Sequence, residues 1–241
     1  LLKPEIIPFA SDLSSSDGSA AASTEWVKNL AAAHVYVDAA NGSDSNGGFS
    51  ASDATATIGK ALEIAFGKDP QHAVLHIAGG SYTENIELLQ RQLDIVLLGN
   101  VNITGYFALK SSSLFIDETE NTLSISHSSA SNPAISAREA SEIYFGCSIS
   151  ISELKHSAVS CYGSNVWFNH DVSITVSNSS VPAFITHDNG FIHISGNVTV
   201  NGSVISGANL EITYNSENYQ EQIKKMEAGD TRETKVWWMT N

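Results

Sequence analysis

The sequence predicts an all-β fold: a right-handed parallel β-helix, a single-stranded solenoid of about six coils. A short N-terminal capping helix and a small C-terminal helix–strand cap are expected at its ends. Three observations carry this reading. One apolar phrase recurs every 19 to 29 residues, as Leu93-Asp-Ile-Val-Leu-Leu98, Ser113-Leu-Phe-Ile-Asp117, Glu142-Ile-Tyr-Phe-Gly146, Asn165-Val-Trp-Phe-Asn169, Phe191-Ile-His-Ile-Ser195 and Leu210-Glu-Ile-Thr213. A second alternating run follows it in most copies: Val101-Asn-Ile103, Leu123-Ser-Ile125, Ile149-Ser-Ile151, Ile174-Thr-Val176 and Val198-Thr-Val200. A weaker third run closes the unit at Ala134-Ile135, Ala158-Val159, Ala183-Phe184-Ile185 and Val204-Ile205. Three short strands with period-2 alternation and polar corners make one coil of a solenoid.

The flanks read differently. Residues 1–33 form a connecting segment, with an extended Ile6-Ile-Pro-Phe9, a polar Ser14-Ser-Ser-Asp-Gly-Ser19 turn and a short helix holding Trp26, Val27 and Leu30 on one side. The first residue is not Met, so Leu1 is expected to lie within a longer protein. Residues 34–90 open the solenoid. They hold a strand at Val35-Tyr-Val-Asp38, a Gly/Asn/Asp loop from Ala39 to Gly48, a helix and a strand at Val74-Leu-His-Ile77. Asp53 is the expected N-cap of that helix, and Ile58, Ala61, Leu62 and Ala65 its apolar stripe. Laid across the open end, the helix would block end-to-end strand pairing. Residues 91–214 are the coils proper, and residues 215–241 the C-terminal cap. The cap reads as a polar helix with Tyr219, Ile223 and Met226, then a strand with Trp237 and Trp238. Those tryptophans are expected to be buried, against other subunits or in the cap.

Two stretches carry a resemblance. Asp17-Gly-Ser-Ala-Ala-Ala-Ser-Thr-Glu-Trp-Val27 resembles the short repeat of tailed-phage tail fibres, although Ala stands where that repeat usually has a charged residue after the Ser. Tyr36-Val-Asp38, Asn41-Gly-Ser-Asp44, the helix and the Gly80-Ser-Tyr-Thr-Glu84 corner resemble the opening of pectin-lyase-like β-helix proteins. The second likeness implies a fold and little chemistry, because lyases, hydrolases and pure binders share it. The first implies a tail fibre or tailspike, a homotrimer carried on the virion and assembled in the host cytoplasm. Its expected partners are a bacterial surface polysaccharide and an upstream tail or baseplate component.

Alternation predicts which side chains reach the surface. With Leu97, Ile116, Phe145, Phe168 and Ile194 inward, the outward column is Val96, Phe115, Tyr144, Trp167 and His193. An exposed aromatic column needs a partner. It is read as a subunit interface, as a glycan platform, or as a surface under a folded loop. The neighbouring outward column is Asp94, Ser113, Glu142, Asn165 and Phe191. Two coils of strand spacing would set Asp94 and Glu142 about 9–10 Å apart, near the upper end for an inverting carboxylate pair. Glu142, with Asp94 or Asp117, is therefore the acid–base candidate if the chain is an enzyme, against a background of solvated surface charge.

Composition excludes other classes. A formal charge of −14 opposes nucleic acid and anionic membrane surfaces. No window is apolar enough for a membrane span. His170 with Asp171, and His187 with Asp188, lack further ligands at metal-site spacing, and the loop from Asn41 to Gly48 lacks the terminal Glu of a calcium loop. No cofactor motif is present. Cys147 and Cys161 are expected to be buried free thiols. The function expected is recognition of a bacterial surface glycan by a receptor-binding tail protein. The alternatives are a polysaccharide depolymerase on the same coils and a structural bacterial adhesin.

Overall fold

The computed structural model describes residues 32–67, 71–176, 182–201, 203–206 and 210–212. The tail-fibre-like segment, the C-terminal cap, Trp26, Trp237 and Trp238 lie outside them. Strand β1 (Ala33–Val37) is followed by a 3-10 turn at Ala51–Asp53 and helix α1 (Ile58–Phe66). The strands then come in threes. These are β2 (His72–Ile77), β3 (Gly80–Tyr82) and β4 (Ile86–Leu89), then β5 (Gln92–Leu97), β6 (Val101–Thr104) and β7 (Phe107–Lys110). Next come β8 (Ser113–Ile116), β9 (Thr122–Ser126) and β10 (Ile135–Arg138), then β11 (Glu142–Phe145), β12 (Ser148–Leu154) and β13 (Val159–Tyr162). The last are β14 (Asn165–Phe168), β15 (Val172–Val176) and β16 (Pro182–His187), then β17 (Phe191–Ile194), β18 (Val198–Asn201) and β19 (Ser203–Ser206), and finally β20 (Leu210–Ile212).

Each triplet is one coil of a right-handed parallel β-helix. The first sheet runs β1-β2-β5-β8-β11-β14-β17-β20, the second β3-β6-β9-β12-β15-β18 and the third β4-β7-β10-β13-β16-β19. Parallel strands joined this way cross over right-handedly because that hand suits the twist of L-residue strands. The β2–β4 triplet is hydrogen-bonded into all three sheets, so coiling is under way by His72.

Alternation fills the bore. In the first sheet the buried columns are Leu93, Leu114, Ile143, Val166 and Ile192, and beside them Ile95, Ile116, Phe145, Phe168 and Ile194. Phe145 and Phe168 stack with ring centroids 4.9 Å apart and planes within 7°. Cys147 and Cys161 are buried thiols, and burial pushes their pKa values up to about 12 and about 11. A thiol so held is a packing residue rather than a nucleophile. Cys161 lies inside β13.

The corner between the third and first sheets is made by left-handed residues. Positive φ at Gln90, Ser111, Glu139, Gly163 and Asp188 turns the chain there. Buried serines tie these corners together. Ser141 Oγ accepts from Ser112 N at 3.2 Å and donates to Arg138 O at 2.6 Å. One coil on, Ser164 Oγ accepts from Ser141 N at 3.0 Å and donates to Tyr162 O at 2.9 Å. This ladder satisfies backbone groups that no strand reaches.

The helix departs from expectation at its start. Thr57, not Asp53, is the N-cap, and its Oγ1 accepts from Lys60 N at 3.1 Å. Asp53 sits in the 3-10 turn, where its carboxylate accepts from Gly47 N at 3.1 Å. The reason is backbone pairing. Thr55 bridges to Val37, which keeps the chain extended to Thr57. Ile58, Ala61 and Ala65 are buried, and Leu62 packs against the core from its edge. The Gly-x-Tyr-x-Glu corner completes the cap: Glu84 accepts from Ile58 N at 2.8 Å and from Gly59 N at 2.6 Å. A carboxylate at a helix N-terminus meets unpaired N–H groups and the positive end of the helix dipole. Glu84→Ala is expected to weaken the cap by about 1–2 kcal/mol. Hydrogen exchange at the Ile58 and Gly59 amides reads this directly, and unchanged rates would show that Thr57 caps the helix alone.

Candidate functional site

The outer face of the first sheet holds most of the residues singled out from sequence. Phe115, Tyr144, Trp167 and His193 do form one column, paired coil to coil and each half-buried. The Trp167 ring stacks on no other ring among the described residues.

The head of that column is corrected. Asp94, not Val96, pairs with Phe115, and Gln92 pairs with Ser113. The third-to-first-sheet corner fixes this register, because Ser113 N bonds Arg91 O at 2.9 Å. Strand β5 is two residues longer than β8 at its far end, so Val96 and Leu97 overrun their neighbour. Asp94 therefore leaves the column of Ser113, Glu142 and Asn165. Its offset of two coils and two residues from Glu142 corresponds to about 11–12 Å. That exceeds the range of about 6.5–9.5 Å for an inverting pair. Asp94 instead meets His72, with Oδ2 2.8 Å from Nε2, while its Oδ1 is buried without a hydrogen-bond partner. Glu142 is exposed on its own column. Asp117 is exposed at the end of β8, and its charge reaches His76, whose pKa is lowered by burial and by His34 and raised by Asp117.

The densest polar constellation was not expected as a unit: the sequence offered Tyr144 in the aromatic column, His170 beside Asp171, and Glu118 only as one of several scattered acids. Glu118 Oε1 accepts from Tyr144 Oη at 2.5 Å and from Asn169 Nδ2 at 2.6 Å, and Oε2 lies 3.0 Å from His170 Nε2. The Tyr144 hydroxyl, then His170 and Asn169, hold the Glu118 carboxyl below its usual range. The same bond pushes the Tyr144 phenol up to about 12. Glu118 is therefore an anion at neutral pH, fixed beside the aromatic column.

Backbone geometry explains the reach. Glu118 follows Ile116, and Asn169 and His170 follow Phe168, two coils further on. Gly146 occupies the corner between them. Its N bonds Ile116 O at 2.9 Å and its O accepts from Thr119 N at 2.9 Å. A Cβ there would lie 2.7 Å from both Glu118 N and Ile116 O. Only glycine lets the chain at Glu118 settle this close and leaves the gap its side chain spans. The sequence signal was present: a small residue at the middle corner, with an acid below and an amide and imidazole above.

Other acids act inside the fold. Asp171 Oδ1 accepts from Asn197 N at 2.8 Å and from Asn197 Nδ2 at 3.0 Å. In the loop from Asn41 to Gly48, Asp44 accepts from Ala56 N and Thr57 N, each at 3.0 Å. Among the described residues no group of three or more His, Cys, Asp or Glu is arranged for a metal ion. A shallow open groove of about 390 Å³ on the second sheet is lined mainly by hydroxyls, including Ser124, Ser150, Ser173 and Thr199.

Chemically, the first-sheet face combines ring surfaces with an ordered anion and two further hydrogen-bonding side chains. A carboxylate has about four lone-pair sites, so three donors leave room for a ligand hydroxyl. Compared with protein-family models, with curated proteins and with solved structures, the chain matches none.

Proposed function

We propose that this chain is the receptor-binding β-helix of a phage tail fibre or tailspike, a homotrimer that binds a bacterial surface polysaccharide on the outer face of its first sheet. The observation that carries the proposal is the half-buried column Phe115–Tyr144–Trp167–His193 alongside the Glu118–Asn169–His170 cluster. Sugar rings present an apolar C–H face and a rim of hydroxyls. Aromatic faces and a fixed acceptor suit those two features. The tail-fibre likeness of residues 17–27 supplies the biological setting, and the acidic surface argues for a non-nucleic-acid target. Display on three copies would raise weak sugar contacts to useful avidity.

The test is mass by light scattering, then incubation with a panel of purified bacterial surface polysaccharides while binding and polymer length are followed. A trimer that binds a polymer without shortening it is the expected result. Glu118→Gln is expected to weaken that binding severalfold, because the amide keeps the shape but loses the charge that strengthens a hydrogen bond from a sugar hydroxyl. Shortening of the polymer would make the chain a depolymerase. A monomer that binds no polymer would overturn the proposal in favour of a spacer or adhesin.

A further inference from the structure

The third sheet carries a different outward column at its last strand position. Lys110, Arg138, Tyr162 and His187 pair in register on successive coils. Arg138 lies over the Tyr162 ring at 5.2 Å, and Tyr162 faces His187 at 4.8 Å. The chain has a formal charge of −14, and its described basic residues are Lys60, Arg91, Lys110, Arg138 and Lys155. Lys60 pairs with Glu63, Lys110 pairs with Glu139 at 3.0 Å, and Arg91 lies over Phe66. Arg138 is exposed, and no carboxylate pairs with it among the described residues. Its Nε donates to Ser136 Oγ at 3.3 Å, which leaves the terminal nitrogens directed away from that bond.

The mount is rigid. The buried serine ladder bonds the carbonyls of Arg138 and Tyr162, at 2.6 and 2.9 Å. The following turns are held in positive φ at Glu139, Ala140 and Gly163. The Tyr162 ring then orients the guanidinium above it, so little side-chain freedom is left to lose on binding. A planar guanidinium fork matches a planar carboxylate through paired N–H···O bonds. Glu139, the next residue in the chain, is compensated by Lys110.

We propose that Arg138 on Tyr162 is a second subsite, which takes the carboxylate of an acidic sugar, a uronate or sialate residue set among neutral sugars of the polysaccharide, since a net charge of −14 opposes a uniformly anionic polymer. The polymer in this statement rests on the proposed function, whereas the charge preference rests on this column alone. The test uses the whole chain with monosaccharides, so that it does not depend on polymer binding. Sodium glucuronate is titrated while the Arg Nε–H resonances are followed by NMR, with glucose as the neutral control. A saturable shift of the Arg138 Nε–H with glucuronate, absent with glucose and with Arg91 unmoved, is expected. Arg138→Ala should abolish saturable binding, and Arg138→Lys should weaken it severalfold through loss of the fork. Sodium phosphate at equal ionic strength separates carboxylate preference from general anion binding. Equal shifts with phosphate, no shift with glucuronate, or glucuronate binding that survives Arg138→Ala would each overturn the proposal. Failure of the polysaccharide panel with a positive glucuronate titration would locate the fault in the receptor-binding reading instead.

Discussion

Phe168→Ala is expected to destabilise the solenoid by about 3–5 kcal/mol, the loss typical of a fully buried aromatic truncated to a methyl group. Phe168 has no solvent exposure and stacks on Phe145 of the preceding coil at 4.9 Å. Phe145 in turn meets Phe107 edge-on at 6.5 Å. Two stacked rings of the first sheet thus meet a third from the third sheet inside the bore. Removal leaves a cavity that stacked backbones cannot close, because each coil is hydrogen-bonded to both neighbours on three sides. In a solenoid the loss is felt first by the coil and its nearest neighbours. Urea denaturation followed by circular dichroism should show a lower midpoint. Limited proteolysis should cut first around residues 145–168. A loss below about 1 kcal/mol would mean that the bore is less tightly packed than native interiors.

The coils were legible in sequence because a buried strand face writes itself as strict alternation. Phe145, Phe168 and Ile194 were placed inward, and they are buried. The third strand of each coil was harder to read: Ile86–Leu89 and Phe107–Lys110 went unrecognised as closing strands. Register failed at one step for a definite reason. Aligning apolar runs by their ends put Val96 above Phe115, whereas the left-handed corner at Gln90 aligns strands by their starts. That single step dissolved the Asp94–Glu142 pair. Asp53 failed as a cap because a long-range bridge from Thr55 to Val37 overrode a local preference. The Glu118 cluster was missed for a different reason. Residues 117–120 look like a solvated acidic corner until the neighbouring coils are stacked, and only then does the absence of a side chain at Gly146 acquire meaning.

Trp167→Asp is the counterpart of Phe168→Ala on the adjacent residue. Because side chains alternate across a strand, Trp167 faces out where Phe168 faces in. Its replacement is expected to leave the circular dichroism spectrum unchanged and to cost at most about 1 kcal/mol, within the range of cross-strand surface pairs. Polysaccharide binding, in contrast, should fall below detection. The ring that would receive a sugar face is gone, and a carboxylate in its place adds a hydrated anion next to Glu118. The two variants separate face from core, since a change in binding without a change in folding can come only from the outer side of β14. If Trp167→Asp instead unfolds the chain as Phe168→Ala should weaken it, Trp167 is covered by protein in the assembled molecule. The stripe would then be an interface between copies, and the mass of the variant would fall from trimer to monomer. If it changes neither folding nor binding nor mass, the glycan lies elsewhere on the coils, and the Arg138 column becomes the first place to look.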